Sequence, residues 1–292
     1  MFRRADETAA ARRSGLVLGS GSGWWIHPFP DGTEVMDLLS ADAREREEAA
    51  DTAAQGDGLS LADVVLLPPL HPAPAMAPPV RSADPAAKPE GSLSMPPAAL
   101  DVDSGPLDYL PVPSDVEGLV FTLDVAAVVG RAVRDATPQQ ARAAIRGVCM
   151  IGSWWDGAGE GTSPGPASPH GRILATRIGP LVVTPDELDD RRDRRGLLEL
   201  EVTVRVNGRR NCVAKYTYTS RPLEEPVSQA SSGGGVVPGE LVASAGWFGR
   251  RCSGGTPEYR RSLSSPRLEI GDTVEILIER LGLIRSTLLP AA

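Results

Sequence analysis

Thirteen of the 27 prolines fall between positions 68 and 113. Proline fixes φ at about −65° and removes a backbone donor, so this density excludes a long helix or an internal strand. The stretch is expected to be extended coil of the polyproline-II kind. It divides the chain into a small N-terminal domain over 1–70, an extended linker over 71–115 and a main domain over 116–292. With 292 residues in all, the main part is long enough to bury a core of its own.

The main part reads as strands. Residues 119–130 are mostly apolar and β-branched and end at Gly130, which predicts a buried strand. Thr137, Pro138 and Gln140 spell a helix start, a capping box with proline at the first position, and Gly147 is expected to stop that helix. Residues 148–155, 177–184 and 197–207 follow as strands, and Asn207-Gly208 is a hairpin turn. Residues 268–277 and 281–289 form a last pair. In the N-terminal part, 15–39 reads as short strands around turns, 37–54 as helical, and 61–67 leads into the prolines. Many strands, few helices and no βαβ alternation predict a mainly β, α+β chain with a mixed or antiparallel sheet.

Charge and composition exclude several functions. A net charge of −8 argues against a nucleic-acid binder, and the arginines at 191–195 are interleaved with acids as in a solvated loop. No apolar run approaches the roughly 20 residues of a membrane helix, and residues 1–13 lack the apolar core of a secretory signal. Cys149, Cys212 and Cys252 are odd in number and far apart, which predicts reduced thiols and a cytoplasmic location. Lys88 and Lys215 are the only lysines, so lysine chemistry has few candidates. The arginine, alanine, glycine and proline bias resembles that of a GC-rich bacterium.

From Phe121-Thr122-Leu123-Asp124 onward the sequence resembles the fumarylacetoacetate hydrolase family. Ile178-Gly179-Pro180 to Leu188 resembles its Gly-Pro-Trp-Val-Val-Thr segment. Val206-Asn207-Gly208 resembles its hairpin, Pro238-Gly239-Glu240 to Ser244 its Arg-Pro-Gly-Asp turn, and 268–282 its closing Gly-Asp-x-Val-Glu strand. Upstream, Gly23-Trp24-Trp25 resembles its leading hairpin and Leu66-Leu67-Pro68-Pro69-Leu70 its interdomain link. The resemblance implies a rolled mixed β-sandwich with a small N-terminal α/β domain, a homodimer, and Mg²⁺ or Ca²⁺ chemistry on 1,3-dicarbonyl or 2-oxo acid substrates.

The same resemblance shows what this sequence has changed. Where the family has two metal-binding acids in a Phe-Glu-Leu-Glu strand, Thr122 and Asp124 stand here, and Ser153 stands at the third acid. Positions i and i+2 of a strand share one face. One carboxylate and two hydroxyls are a poor cage for a hard cation, so no metal and no other cofactor is expected. Asp156 is a neighbouring acid, but a one-residue slip changes sheet face. No histidine stands in 79–91, where the family has its general base, and Asp84 reads as the shifted remnant of the family's acid there. The family's Gly-Lys becomes Gly171-Arg172, and its Ser-Gly-Thr loop becomes Ser244-Ala245-Gly246.

The candidate catalytic residues are therefore Asp124 and Arg172, with Thr122, Ser153, Trp155, Asp156, Trp247 and Phe248 around the substrate. Asp124 reads functionally as a general base or acceptor in a cavity, and structurally as an acid paired with Arg172. Trp154 and Cys149 read as core and Arg177 as a structural or surface residue. His27 is expected to be structural, His71 linker, and His170 an exposed loop residue. Glu258 aligns loosely with a supporting glutamate. The functional expectation is a metal-independent cyclase, isomerase or lyase acting on a β-dicarbonyl or polyketide-like small molecule in bacterial secondary metabolism. A catalytically inactive scaffold and a conventional metal hydrolase with substitute ligands are the alternatives.

Overall fold

The computed structural model describes residues 1–7, 11–20, 23–70, 104–116, 118–156, 172–216, 222–244 and 268–291. Near the N-terminus, β1 (Phe2–Arg4) is followed by the hairpin of β2 (Gly15–Ser20) and β3 (Gly23–Pro28). Two helices, α1 (Val35–Ser40) and α2 (Ala43–Ala54), lead to β4 (Leu59–Ser60) and β5 (Val64–Leu66). β1 pairs with β5, and β2, β3 and β4 form a three-stranded sheet. The helical reading of 37–54 is corrected to two helices. Asp42 is the reason: its carboxylate accepts from Glu45 N at 2.9 Å, and the Glu45 carboxylate accepts from Asp42 N at 3.2 Å. This reciprocal cap starts a new helix and ends the old one.

The remainder runs β6 (Leu110–Val112), β7 (Leu119–Val129), α3 (Pro138–Ala144), β8 (Ile145–Asp156), β9 (Arg172–Ile178), β10 (Glu201–Val206) and β11 (Arg209–Lys215). It closes with α4 (Glu224–Ser231), β12 (Leu241–Ala243), β13 (Thr273–Ile278) and β14 (Gly282–Pro290). One sheet has the order β12-β7-β8-β9 and is antiparallel throughout. The other has the order β11-β10-β13-β14-β6, with β6 parallel to β14. Leu123, Val125 and Trp154 from the first sheet and Val204, Ile276 and Ile284 from the second belong to one buried cluster. The arrangement is a mixed β-sandwich with few helices, as expected.

Local differences from the sequence reading have physical causes. Gly147 does not stop α3, whose cap is the extended Ile145; it lies inside β8, where a Cβ would meet Val182 Cγ1 at 2.4 Å. The strand expected over 177–184 is β9, over Arg172–Ile178. Gly179-Pro180 breaks it, because proline has no donor for the ladder, and Val183 then returns to bridge Val148. β6 falls inside the proline-rich stretch. It is extended as read, and its place at a sheet edge tolerates Pro111. Asn207 and Gly208 both have positive φ, 51° and 73°, which makes the β10–β11 hairpin turn the type that matches strand twist. Among the described residues, no helix is long and apolar enough to cross a membrane.

Candidate functional site

The site is built on the face of the β7–β8–β9 sheet that turns away from the main core. Along β7, Leu119, Phe121, Leu123, Val125 and Ala127 belong to the main core cluster. Thr122, Asp124, Ala126 and Val128 alternate with them and therefore take the other face. That face changes character along the strands. At one end Ala126, Val128, Cys149, Ile151 and Ile178 are covered by Leu39 of α1 and by Leu70. Towards the other end come Thr122, Ser153 and Thr176, which are direct partners across β7, β8 and β9.

These side chains are bonded to one another. Ser153 Oγ and Thr176 Oγ1 lie 3.0 Å apart, and Trp155 Nε1 donates to Thr122 Oγ1 at 3.0 Å. Ser153 is 3% exposed, Trp155 2% and Thr176 fully buried. Trp155 is thus packed into this face. Trp154 is buried in the core, as read from the sequence.

Asp124 sits where β12 has run out beside β7. β12 pairs with β7 from Val128 to Ala126, and Ser244 N continues the contact to Val125 O at 3.0 Å. Val125 N, on the same edge, donates to Asp124 Oδ1 at 2.7 Å. The same oxygen accepts from Tyr216 Oη at 2.8 Å and from Ser244 Oγ at 2.7 Å. Tyr216 Oη also contacts Ser244 Oγ and accepts from Val125 N at 3.2 Å. Burial, and then the negative charge of Asp124, hold the Tyr216 phenol well above its ordinary pKa of 10.0. Tyr216 therefore stays protonated and donates a hydrogen bond to the carboxylate. Cys149, on the apolar half of the face, has its thiol pushed up by burial to about 12, which makes it an inert packing residue.

The structure separates other sequence candidates from this group. Asp156 pairs with Leu119, a residue of the core face, so it lies on the opposite side of the sheet from Thr122 and Asp124. The backbone of Arg172 pairs with Asp156, whereas Asp124 is in line with Ile151 and Ile178. Five positions along β8 separate those rows, about 16 Å. Hydroxyls and a backbone amide from Tyr216, Ser244 and Val125 hold the acid. Arg177 proves structural. It is fully buried and donates to Asp108 O, Tyr109 O and, at 2.8 Å, Ser286 Oγ, with its guanidinium 5.7 Å from the Trp154 ring. His27 Nδ1 lies 3.0 Å from Gly56 O, a structural contact. Trp247, Phe248, His71, Asp84, His170, Gly171, Ala245, Gly246 and Glu258 lie outside the described residues.

Two residues of the group escaped the sequence reading. Thr176 lies one position before the strand start read at 177. Tyr216 follows a hairpin strand with nothing local to mark it, although a buried tyrosine needs a partner for its hydroxyl.

Could the group hold a divalent cation? Hard cations take several charged oxygens in a fixed cage. The described residues contain no cluster of three or more His, Cys, Asp or Glu close enough to form one. Thr122, Ser153 and Asp124 offer one carboxylate, and one of its oxygens already takes three donors. These residues do not fit such an ion.

Fold and face together define a class: a mixed β-sandwich carrying a part-polar sheet face behind a small N-terminal unit. Solved structures of that class are similar to this chain. A maleylpyruvate hydrolase from Sphingobium sp. SYK-6 is 18% identical, covering 96% of this chain and 98% of its own with a TM-score of 0.67. A 5-carboxymethyl-2-hydroxymuconate delta-isomerase from Mycobacterium smegmatis is 17% identical, covering 94% of each chain with a TM-score of 0.63. A 2-hydroxyhepta-2,4-diene-1,7-dioate isomerase from Mycobacterium marinum is 20% identical, covering 95% and 98% with a TM-score of 0.60. No curated protein matches the sequence. The family model for the fumarylacetoacetate (FAA) hydrolase C-terminal domain matches residues 85–289. The chain belongs to the fumarylacetoacetate hydrolase family.

Proposed function

We propose that the chain is an enzyme of isomerase type that shifts a proton on a small enolisable carbonyl compound, with no divalent cation at the Asp124 position. The observation that carries this reading is the placement of Asp124. It is a carboxylate at the row where this face turns from apolar to polar, and three donors on a single oxygen fix its orientation. A carboxylate so oriented can take a proton from carbon next to a carbonyl and return it at another carbon. The double bond moves, and no atom is gained or lost. Tyr216 and Ser244 orient the acid, and Thr122 is the polar group beside it on the same strand. Two structural neighbours are named as isomerases of hydroxydienoate-type acids, a chemistry of the same kind. A homodimer, as the family resemblance implies, is part of the proposal.

The test is exchange of α-hydrogens for deuterium in a panel of 1,3-dicarbonyl and 2-oxo compounds in D₂O, followed by proton NMR. Exchange is expected with the wild-type chain and is expected to fall by about 10²-fold or more in Asp124→Asn. Exchange that is unchanged in that variant excludes Asp124 as the base. A second reading, a non-catalytic relative, is favoured by the near-complete burial of Ser153, Trp155 and Thr176. It predicts no exchange above buffer with any compound of the panel.

A further inference from the structure

We infer that a hydrogen-bonded polar row has taken over the strand-bridging work of a divalent cation on this sheet face, and that two substitutions return the face to ion binding. The inference rests on the cation-free reading proposed above and gives it a structural cause. Thr122, Ser153 and Thr176 stand in one line across β7, β8 and β9. A cation on such a face draws acids from neighbouring strands together, because each shares the same ion. Without it, acids at those positions repel one another.

Here the line is joined by direct bonds. Ser153 and Thr176 connect β8 to β9 at 3.0 Å, and the indole of Trp155 on β8 reaches diagonally to Thr122 on β7 at 3.0 Å. The remaining acid is also engaged: Asp124 Oδ1 binds its own strand edge, the end of β11 through Tyr216, and the end of β12 through Ser244. Hydroxyl, indole and carboxylate each have a neighbour of complementary type. Such a set is satisfied without an ion, and cross-strand hydroxyl pairs stabilise a sheet.

The strand geometry for a cage nevertheless persists. Acids placed at 122 and 153 face the same side as Asp124, on adjacent strands and at alternating positions. Thr122→Glu with Ser153→Asp therefore supplies three carboxylates to one spot and replaces the neutral hydroxyls of the row with repelling charges.

The experiment is Mn²⁺ titration followed by electron paramagnetic resonance, with thermal melts in EDTA and in Mn²⁺. The wild-type chain is expected to leave the free-ion signal undiminished and to melt at one temperature in both conditions. Thr122→Glu/Ser153→Asp is expected to remove one equivalent of signal. It should melt lower in EDTA and rise by about 5 °C or more once Mn²⁺ exceeds its Kd by about 100-fold. Where the double variant does not fold, Ser153→Asp alone is the substitute and should acquire weaker, measurable binding. Stoichiometric Mn²⁺ binding by the wild-type chain that Asp124→Asn abolishes overturns the inference. A folded double variant that binds no Mn²⁺ overturns it as well. Neither result depends on catalysis, so both are separable from the deuterium-exchange outcome, which alone decides whether Asp124 moves protons.

Discussion

Tyr216 shows how one side chain can matter to a site without being visible in its sequence neighbourhood. Asp124 was legible as an acid in an apolar run, and Thr122 and Ser153 through the positions at which the family resemblance places acids, with i and i+2 of a strand sharing a face. Tyr216 and Thr176 join them only through register and through the approach of the second sheet, which no local pattern encodes. The linkage of Tyr216 to stability can be given a sign. Its folded pKa is raised above the ordinary 10.0, so the folded state keeps a proton that the unfolded chain releases above that pH. The contribution is complete below pH 10 and declines as pH rises towards the folded value. Urea unfolding at pH 8 and at pH 11 should show this as a loss of stability in the wild-type chain. In Tyr216→Phe the loss should be smaller, leaving the part due to Cys149, whose folded pKa is likewise raised, to about 12. Equal losses in both proteins refute the assignment.

At the level of elements, the strands that carry strong patterns came out of the sequence nearly intact. β7 was read over 119–130 and runs Leu119–Val129; the capping box of α3 is formed by Thr137 and Gln140, with Thr137 N donating to Gln140 Oε1 at 2.9 Å. One error fell where an apolar run met a backbone constraint. Leu181 to Val183 is as apolar as a strand, but Gly179-Pro180 ends β9 before it. A polar clamp between the two sheets was also hidden, since it runs through one buried arginine. Arg177 on β9 fastens Asp108 and Tyr109, just ahead of β6, and Ser286 on β14. Arg177→Ala removes those donors and leaves a void against Trp154. It should cost about 3–5 kcal/mol in urea unfolding. A cost below about 1 kcal/mol shows that the clamp is dispensable.

At the level of the whole molecule, the sandwich was recognisable from the order of several weak motifs, while the way its sheets close was not. The large sheet is completed by a parallel contact, Leu110 to Leu288 through Val112 to Pro290, between two segments remote in sequence. β14 also pairs along its length with β13. A chain shortened to end at residue 281 loses both pairings. It is expected to keep β-rich far-ultraviolet circular dichroism but to lose cooperative melting; a sharp transition near the full-length temperature refutes this.

The same closure bears on how the polypeptide is made. At roughly 5–20 residues per second, β6 leaves the ribosome some ten to thirty seconds before the strand that will cover its edge has been synthesised. Through that interval the nascent chain displays unpaired backbone beside its proline-dense segment, so chaperone engagement during translation should concentrate there and end when the final hairpin emerges.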